Sequence, residues 1–168
     1  MGISQTIFVV PDDALRTLEG ERGNVLSWAG GRGYSSAYLS SYWRWLAEMM
    51  TNGRPVDQLP FAALTTGDLR FFNDHDGAHA LLSPGVAELA AFTSTLGESD
   101  VRAHVERRRD AAVVKFAGHP DGARFIPTES LMRQETAEYT FYLGKVKEIA
   151  QEAQRDGAGL LFCYWEDL

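Results

Sequence analysis

A chain of 168 residues with 45% hydrophobic and 23% charged side chains has the composition of one globular domain, which excludes a disordered, fibrous or membrane-spanning protein. The net charge of -7 argues against binding to nucleic acid or anionic lipid, because both are themselves negatively charged. The single cysteine, Cys163, cannot form an internal disulfide, and no signal peptide is evident, so we expect a cytoplasmic protein.

The N-terminal part of the chain predicts a strand followed by a short helix. Residues 5–10 are rich in β-forming side chains and end at Pro11, which suits the first turn of a helix. Leu15 and Leu18 supply the apolar edge of that helix. Five glycines within residues 20–33 then predict a mobile or ligand-facing loop.

The stretch from Tyr38 to Met50 is predicted to be the central helix, in the middle of the core. Ser35 and Ser36 can cap its start, and Asn52-Gly53 is a typical helix end. Its apolar side chains recur at steps of three and four residues and therefore share one helical face. These side chains are Leu39, Tyr42, Trp43, Leu46, Met49 and Met50.

The remaining elements are predicted from period and capping residues. Residues 61–82 have no persistent period, so we expect a long irregular connection there. The predictions for the rest of the chain are a helix from Ser83-Pro84 to Gly97, a helix from Ser99 to Arg109, a strand over 111–116, a turn over 119–122, a helix over 139–153 that Gly157 ends, and a buried strand over 160–165.

These elements predict an α/β (α+β) fold in a single compact domain spanning residues 1–168. We expect a small mixed sheet packed by about five helices, with the aromatic helix 38–50 at the centre. The nearly continuous apolar run over 160–165 is typical of a strand that is buried on both faces. Cys163 lies within that run, so we predict a buried thiol with a raised pKa.

The order of these parts resembles the YfbM-like family of uncharacterised bacterial proteins. The resemblance rests on Met1-Gly2 before an apolar strand, Val10-Pro11-Asp12 at the first helix, Trp43-Arg44-Trp45 before Asn52-Gly53, Leu82-Ser83-Pro84 at a helix start, Ile126-Pro127 before a long helix, and the final hydrophobic strand. It covers nearly the whole chain. The resemblance implies a compact α/β fold and implies no catalytic residue.

One short segment, Asn73 to His79, contains two of the four histidines and two carboxylates. His75, Asp76 and His79 are candidate ligands for a divalent metal, because imidazole and carboxylate groups are common metal ligands. The alternative is a polar surface turn, since Asn, Asp and Gly favour turns for backbone reasons. We expect no tightly held cofactor, with a divalent metal as the alternative.

The glycine-rich loop 30–36 offers backbone N–H groups close to the predicted start of the central helix, an arrangement that can hold an anion. Its glycine spacing matches neither the phosphate loop of nucleotide hydrolases nor the dinucleotide fingerprint. Arg32 and Tyr34 are the residues of this loop that we expect to face a ligand.

The aromatic residues of and around the central helix are the third candidate site. Tyr38, Trp43 and Trp45 cannot easily share one buried face, so at least one of them is expected to line a cleft or an interface. The alternative is ordinary core packing of a wide apolar stripe.

Two functional classes fit these observations. The first is a small acidic protein that sequesters or inhibits a protein partner, as an immunity protein does, with acidic side chains such as Asp74 and Glu166 steering a basic partner. The second is a small-molecule-binding protein or enzyme whose pocket lies between loop 30–36, the aromatic helix and loop 73–79, with or without a metal. A self-associating structural role is a third alternative.

Overall fold

The computed structural model of the protein describes residues 2–18, 24–71 and 77–167. Five strands and six α-helices occur there: β1 (Gly2–Val10), α1 (Asp12–Leu18), α2 (Val25–Gly31), β2 (Ser36–Ser40), α3 (Trp43–Thr51), β3 (Leu69–Phe71), β4 (Ala78–Leu81), α4 (Ser83–Ser94), α5 (Glu98–Lys115), α6 (Glu129–Asp156) and β5 (Gly159–Asp167). No helix within these ranges is long and apolar enough to cross a membrane.

The five strands form one sheet in the order β2-β1-β5-β4-β3. All of its pairings are antiparallel, so the α+β class is confirmed and the sheet is fully antiparallel rather than mixed. The two longest strands, β1 and β5, pair from Gly2 opposite Asp167 to Val10 opposite Gly159. Because β5 lies in the middle of the sheet, its side chains are buried on both faces, as the apolar run predicted.

Side chains alternate between two cores along these central strands. Ile7 and Val9 of β1 face a large core that α3, α4, α5 and α6 cover. Phe8 and Val10 face a smaller core beneath α1 and α2. This alternation is the two-residue period of a strand, and it determines which helices share a surface.

The predicted central helix 38–50 is wrong at its start. Tyr38 and Leu39 belong to strand β2, and α3 begins only at Trp43. Ser36 is therefore part of a strand, and the Ser35 hydroxyl donates a hydrogen bond to Glu152 instead of capping a helix. The predicted helix end is confirmed, because Asn52 adopts the left-handed conformation with φ 40°.

Two segments predicted as irregular contain regular structure. Helix α2 lies within the glycine-rich stretch, and the Asn24 side chain caps it by accepting from the Ser27 N–H at 3.0 Å. Strands β3 and β4 form an antiparallel pair within the stretch predicted to be irregular. Each of these short strands forms by pairing with the other, so the local sequence shows no periodic pattern from which they could be predicted.

The last two helices are longer than predicted. Residues 111–116 were predicted as a strand, but α5 continues through them as far as Lys115. Helix α6 has 28 residues, about 42 Å at 1.5 Å per residue, and ends at the predicted Gly157 with φ 62°. The two helices run antiparallel: Lys147 of α6 donates a hydrogen bond to the Leu96 carbonyl just before α5, while Arg109 of α5 lines a cleft together with Glu129 at the start of α6.

Candidate functional site

The two tryptophans of α3 lie in different environments. Trp45 is 4% exposed, and its ring stacks on Tyr139 of α6 at 3.6 Å between centroids with an interplanar angle of 5°. The His104 ring packs edge-on against the same indole at 4.5 Å. We call Trp45, Tyr139 and His104 the closed cluster, because these rings cover one another.

Trp43 is half-buried and is fixed at two points. Its Nε1–H donates to the Ile3 carbonyl at 2.8 Å, and its ring packs edge-on against Tyr164 at 4.9 Å. The Arg44 guanidinium lies 5.4 Å from the centre of the indole. The ring is therefore held in position while part of its surface faces outward.

A buried polar network lies behind Tyr164. His79 Nε2 is 2.7 Å from the Ala63 carbonyl, and a carbonyl only accepts, so this nitrogen carries the proton. The Tyr164 hydroxyl donates to the Leu64 carbonyl at 2.6 Å and lies 3.2 Å from His79 Nδ1. Gln5 also donates to Leu64, at 2.8 Å, while its buried Oε1 has no hydrogen-bond partner among the described residues.

Burial sets the protonation of this network. Burial, together with a smaller contribution from the charge of Arg70, lowers the pKa of His79 to about 4, so the ring is neutral near pH 7. Burial raises the pKa of the Tyr164 phenol far above its usual value, so the hydroxyl stays protonated and can donate. Burial also raises the pKa of the Cys163 thiol to about 12, which confirms the prediction of an inert cysteine.

An open groove of about 540 Å³ lies beside Trp43. Its wall is largely apolar, and charged side chains of both signs stand around it. We call it the Trp43 groove and define it by its lining residues: Trp43, Arg44, Ala47, Glu48, Thr51, Val56, Asp57, Thr65, Thr66 and Arg70. A groove of this volume with a few polar groups matches the usual dimensions of a small-molecule site.

The residues predicted for one ligand pocket lie apart. Arg32 and Tyr34 pack on Trp28 beside the smaller core, on the opposite face of the sheet from α3. Tyr38 stacks on Trp165 at 5.6 Å. Among the predicted pocket residues, the structure brings only Trp43 to the groove, so the composite pocket expected from the sequence does not form among the described residues.

The loop that was predicted to bind an anion follows a helix instead of preceding one. Gly30 and Gly31 end α2, and the N–H groups of Arg32 and Gly33 are already bonded to carbonyls of its last turn. A helix C-terminus carries partial negative charge, which disfavours an anion at this position.

The metal hypothesis stays a prediction. His75 and Asp76 lie outside the described residues. His79 is in strand β4, where its Nε2 is occupied by the Ala63 carbonyl. Within the described ranges no group of three His, Cys, Asp or Glu side chains is placed to hold an ion.

Comparison with known proteins identifies the fold. The chain aligns with the crystal structure of YfbM from Escherichia coli, a protein of unknown function, with a TM-score of 0.67, 13% sequence identity, and coverage of 96% of this chain and 99% of that one. The chain has the YfbM fold. No protein-family model and no curated protein matches the sequence. At this identity the likeness shows the fold alone.

A second exposed surface of this YfbM fold was not predicted from the sequence. From Glu106 of α5, through the connection, to Glu135 of α6, only Gly122 is buried. We call residues 106–135 the hairpin arm. The prediction of a strand over 111–116 hid it, although no Gly or Pro interrupts the chain between Arg109 and Phe116 to end the helix.

Proposed function

We propose that the protein binds and sequesters a partner protein in the cytoplasm and that the partner docks on the hairpin arm. The observation that carries this proposal is the exposed apolar surface of the arm. Of the seven large apolar side chains that are exposed within the described residues, four belong to the arm: Val113, Val114, Phe125 and Leu131. Clustered apolar exposure of this kind is typical of a protein interface.

At least one of these exposed apolar side chains is held in a fixed orientation by its neighbours in the arm. Phe125, 52% exposed, stacks on Phe116 at 4.7 Å, so its ring is oriented before any partner arrives. Between α5 and α6 there is also a groove of about 450 Å³, and its lining includes Val105 and Met132. Pre-oriented aromatic side chains are common anchors of a binding surface.

The charge of the arm changes the expected partner. An acidic surface that steers a basic partner was predicted from the net charge of -7, but the arm itself contains six basic and five acidic side chains. Its charge is therefore nearly balanced. Apolar contact, rather than long-range attraction, supports binding at this surface, so the affinity should depend weakly on salt.

Site-specific photocrosslinking in cells that make the protein naturally tests this proposal. A photoreactive side chain at Val114, which is 77% exposed, should form one discrete heavier adduct. The same group at exposed Glu88 on α4 is the matched control and should form none. Phe125→Ser should abolish the Val114 adduct. Identical adduct patterns at both positions would contradict the proposal.

A second function, small-molecule binding, is favoured by the Trp43 groove. The indole is fixed by the Ile3 carbonyl and by Tyr164, so a planar face stands ready at the edge of a groove of about 540 Å³. Fixed aromatic walls with a few polar groups are common in such sites. Saturable ligand-induced shifts of the Trp43 indole signal in nuclear magnetic resonance spectra would test it.

A further inference from the structure

We propose that the Trp43 groove binds a small zwitterion with an apolar body, the class that includes amino acids with aromatic side chains. The inference rests on the second proposed function and specifies its ligand. It is carried by the charges around the groove, the orientation of one arginine, and the apolar side chains of the lining.

The groove carries charges of both signs that form no salt bridge with one another among the described residues. Arg44 and Arg70 supply two guanidinium groups, and Glu48 and Asp57 supply two carboxylates. Within the described ranges none of the four forms a salt bridge with an oppositely charged side chain; Glu48 has only the ring of His104, at 3.8 Å. That ring is neutral near pH 7, since burial lowers the pKa of His104 to about 4.

Arg70 is oriented for a carboxylate. Its Nη2 donates to the Thr66 hydroxyl at 3.2 Å, which fixes one side of the guanidinium plane. The groups behind it, His79 and Tyr164, are both neutral. A guanidinium that is held at one edge by a neutral hydroxyl is suited to bind a carboxylate through two parallel hydrogen bonds.

The acceptors of the groove suit an ammonium group. The hydroxyls of Thr51 and Thr65 donate to carbonyls within their own turns, which leaves their oxygen lone pairs as acceptors. Together with the Glu48 and Asp57 carboxylates they form an electronegative part of the same lining. An ammonium group has three donors and no acceptor, so it matches such a surface.

The groove lining also has apolar parts. Trp43 supplies a fixed ring face, Ala47 contributes a methyl group, and the side chain of Val56 is 82% exposed. A ligand with an aromatic or branched body would cover this valine and contact the indole, gaining roughly 25 cal/mol for each Å² of apolar surface that it buries.

The balance of charges selects against ligands that carry one charge. An anion attracted by Arg44 and Arg70 would be repelled by Glu48 and Asp57. A cation attracted by the two carboxylates would likewise be repelled by the two guanidinium groups. Each would gain attraction from one pair and suffer repulsion from the other. A zwitterion can place each of its charges beside the opposite one.

Three ligands that share one phenyl ring test the proposal: L-phenylalanine with both charges, 3-phenylpropionate with only the negative charge, and phenethylamine with only the positive one. Binding is followed through the Trp43 indole N–H signal. We expect L-phenylalanine to bind at least about fivefold more tightly than either of the others. Arg70→Gln and Asp57→Asn should each weaken it about fivefold, while Arg16→Gln and Glu88→Gln, at exposed positions outside the groove, should not.

The remaining outcomes separate the two proposals. If 3-phenylpropionate or phenethylamine binds as tightly as L-phenylalanine, the proposed preference for a zwitterion is refuted, whereas small-molecule binding at the groove is supported. If none of the three shifts the indole signal at about 10 mM, both are refuted. If Arg70→Gln and Asp57→Asn leave the affinity for L-phenylalanine unchanged, the ligand binds elsewhere and the proposed site is wrong.

Discussion

Trp43 and Trp45 are two residues apart on one helix, yet one borders an open groove and the other is sealed in the closed cluster. Trp45 is covered by Tyr139, which belongs to the long helix α6. Trp43 is held from below by the Ile3 carbonyl and Tyr164, and no ring covers its outer side within the described residues. The difference shows that an aromatic side chain stabilises the fold where it is covered and remains available for binding where it is only fixed.

The largest expected difference concerns the tryptophans themselves. Trp45→Ala should reduce the free energy of unfolding by about 3–5 kcal/mol, because it leaves a cavity against Tyr139. Trp43→Ala should cost about 1–3 kcal/mol, since part of that ring already contacts water. Urea unfolding followed by circular dichroism measures both values. Equal losses of unfolding free energy in the two variants would contradict the difference between the covered and the partly exposed tryptophan.

Each region also contains a buried histidine, and the two should differ in pH dependence. Burial lowers the pKa of His79 and of His104 to about 4, below the unfolded value near 6.5. The folded state therefore resists protonation, so their contribution to stability is complete above pH 6.5 and is lost as the pH falls toward 4. The full loss for His79 is on the order of 3 kcal/mol.

Single replacements separate the two histidines. His79→Gln should flatten the dependence of unfolding free energy on pH between 6.5 and 4 more than His104→Gln does, because the Glu48 carboxylate, 3.8 Å from His104 Nε2, can stabilise the positive charge of that ring when it is protonated, whereas no carboxylate forms a salt bridge with His79 among the described residues. His119→Gln, at an exposed position of the arm, is the matched control. A profile that stays equally steep in His79→Gln would show that another group causes the acid sensitivity.

The tyrosines that contact the two tryptophans should differ in how much their hydroxyls contribute. Tyr164→Phe removes the donor to the Leu64 carbonyl and should cost about 1–2 kcal/mol. Tyr139→Phe keeps the ring that stacks on Trp45 and should cost less. Thermal and urea unfolding of both variants measure the difference. A larger loss of unfolding free energy in Tyr139→Phe than in Tyr164→Phe would show that the Tyr139 hydroxyl contributes more to stability, contrary to this prediction.

The smallest effect is expected at the groove wall. Val56→Thr should change the unfolding free energy by less than about 0.5 kcal/mol, because the side chain is 82% exposed. Val105→Thr, with the same change of atoms at a position 2% exposed, should cost more than about 1 kcal/mol. A large loss in Val56→Thr would mean that the groove is part of the core.

The elements that could be predicted are those with strong local signals. Strand β1, the buried strand β5 and the end of α6 at Gly157 all follow from apolar runs or from a residue that permits positive φ. Residues 38–40 were misassigned because Leu39 fits both a helical and a strand period. Only pairing with β1, in which Tyr38 lies opposite Thr6 and Ser40 opposite Gln5, decides between the two.

The candidate site was predictable only in part. Trp43 and His79 were both singled out by residue type, but Tyr164, which contacts both, was not. Arg44 and Arg70 come from separate elements and meet at the groove only through the tertiary fold. The hairpin arm was hidden for a different reason: a run of two valines is read as β-branched preference even where a helix continues.

The central pairing of β1 with β5 has a consequence for synthesis on the ribosome. Strand β5 lies between β1 and β4, so both neighbours keep an unpaired edge until residues 159–167 have left the exit tunnel. Exposed strand edges are sites of aggregation. A nascent chain that pauses or is truncated before Gly159 therefore has an incomplete sheet, and chaperones would have to protect its exposed strand edges.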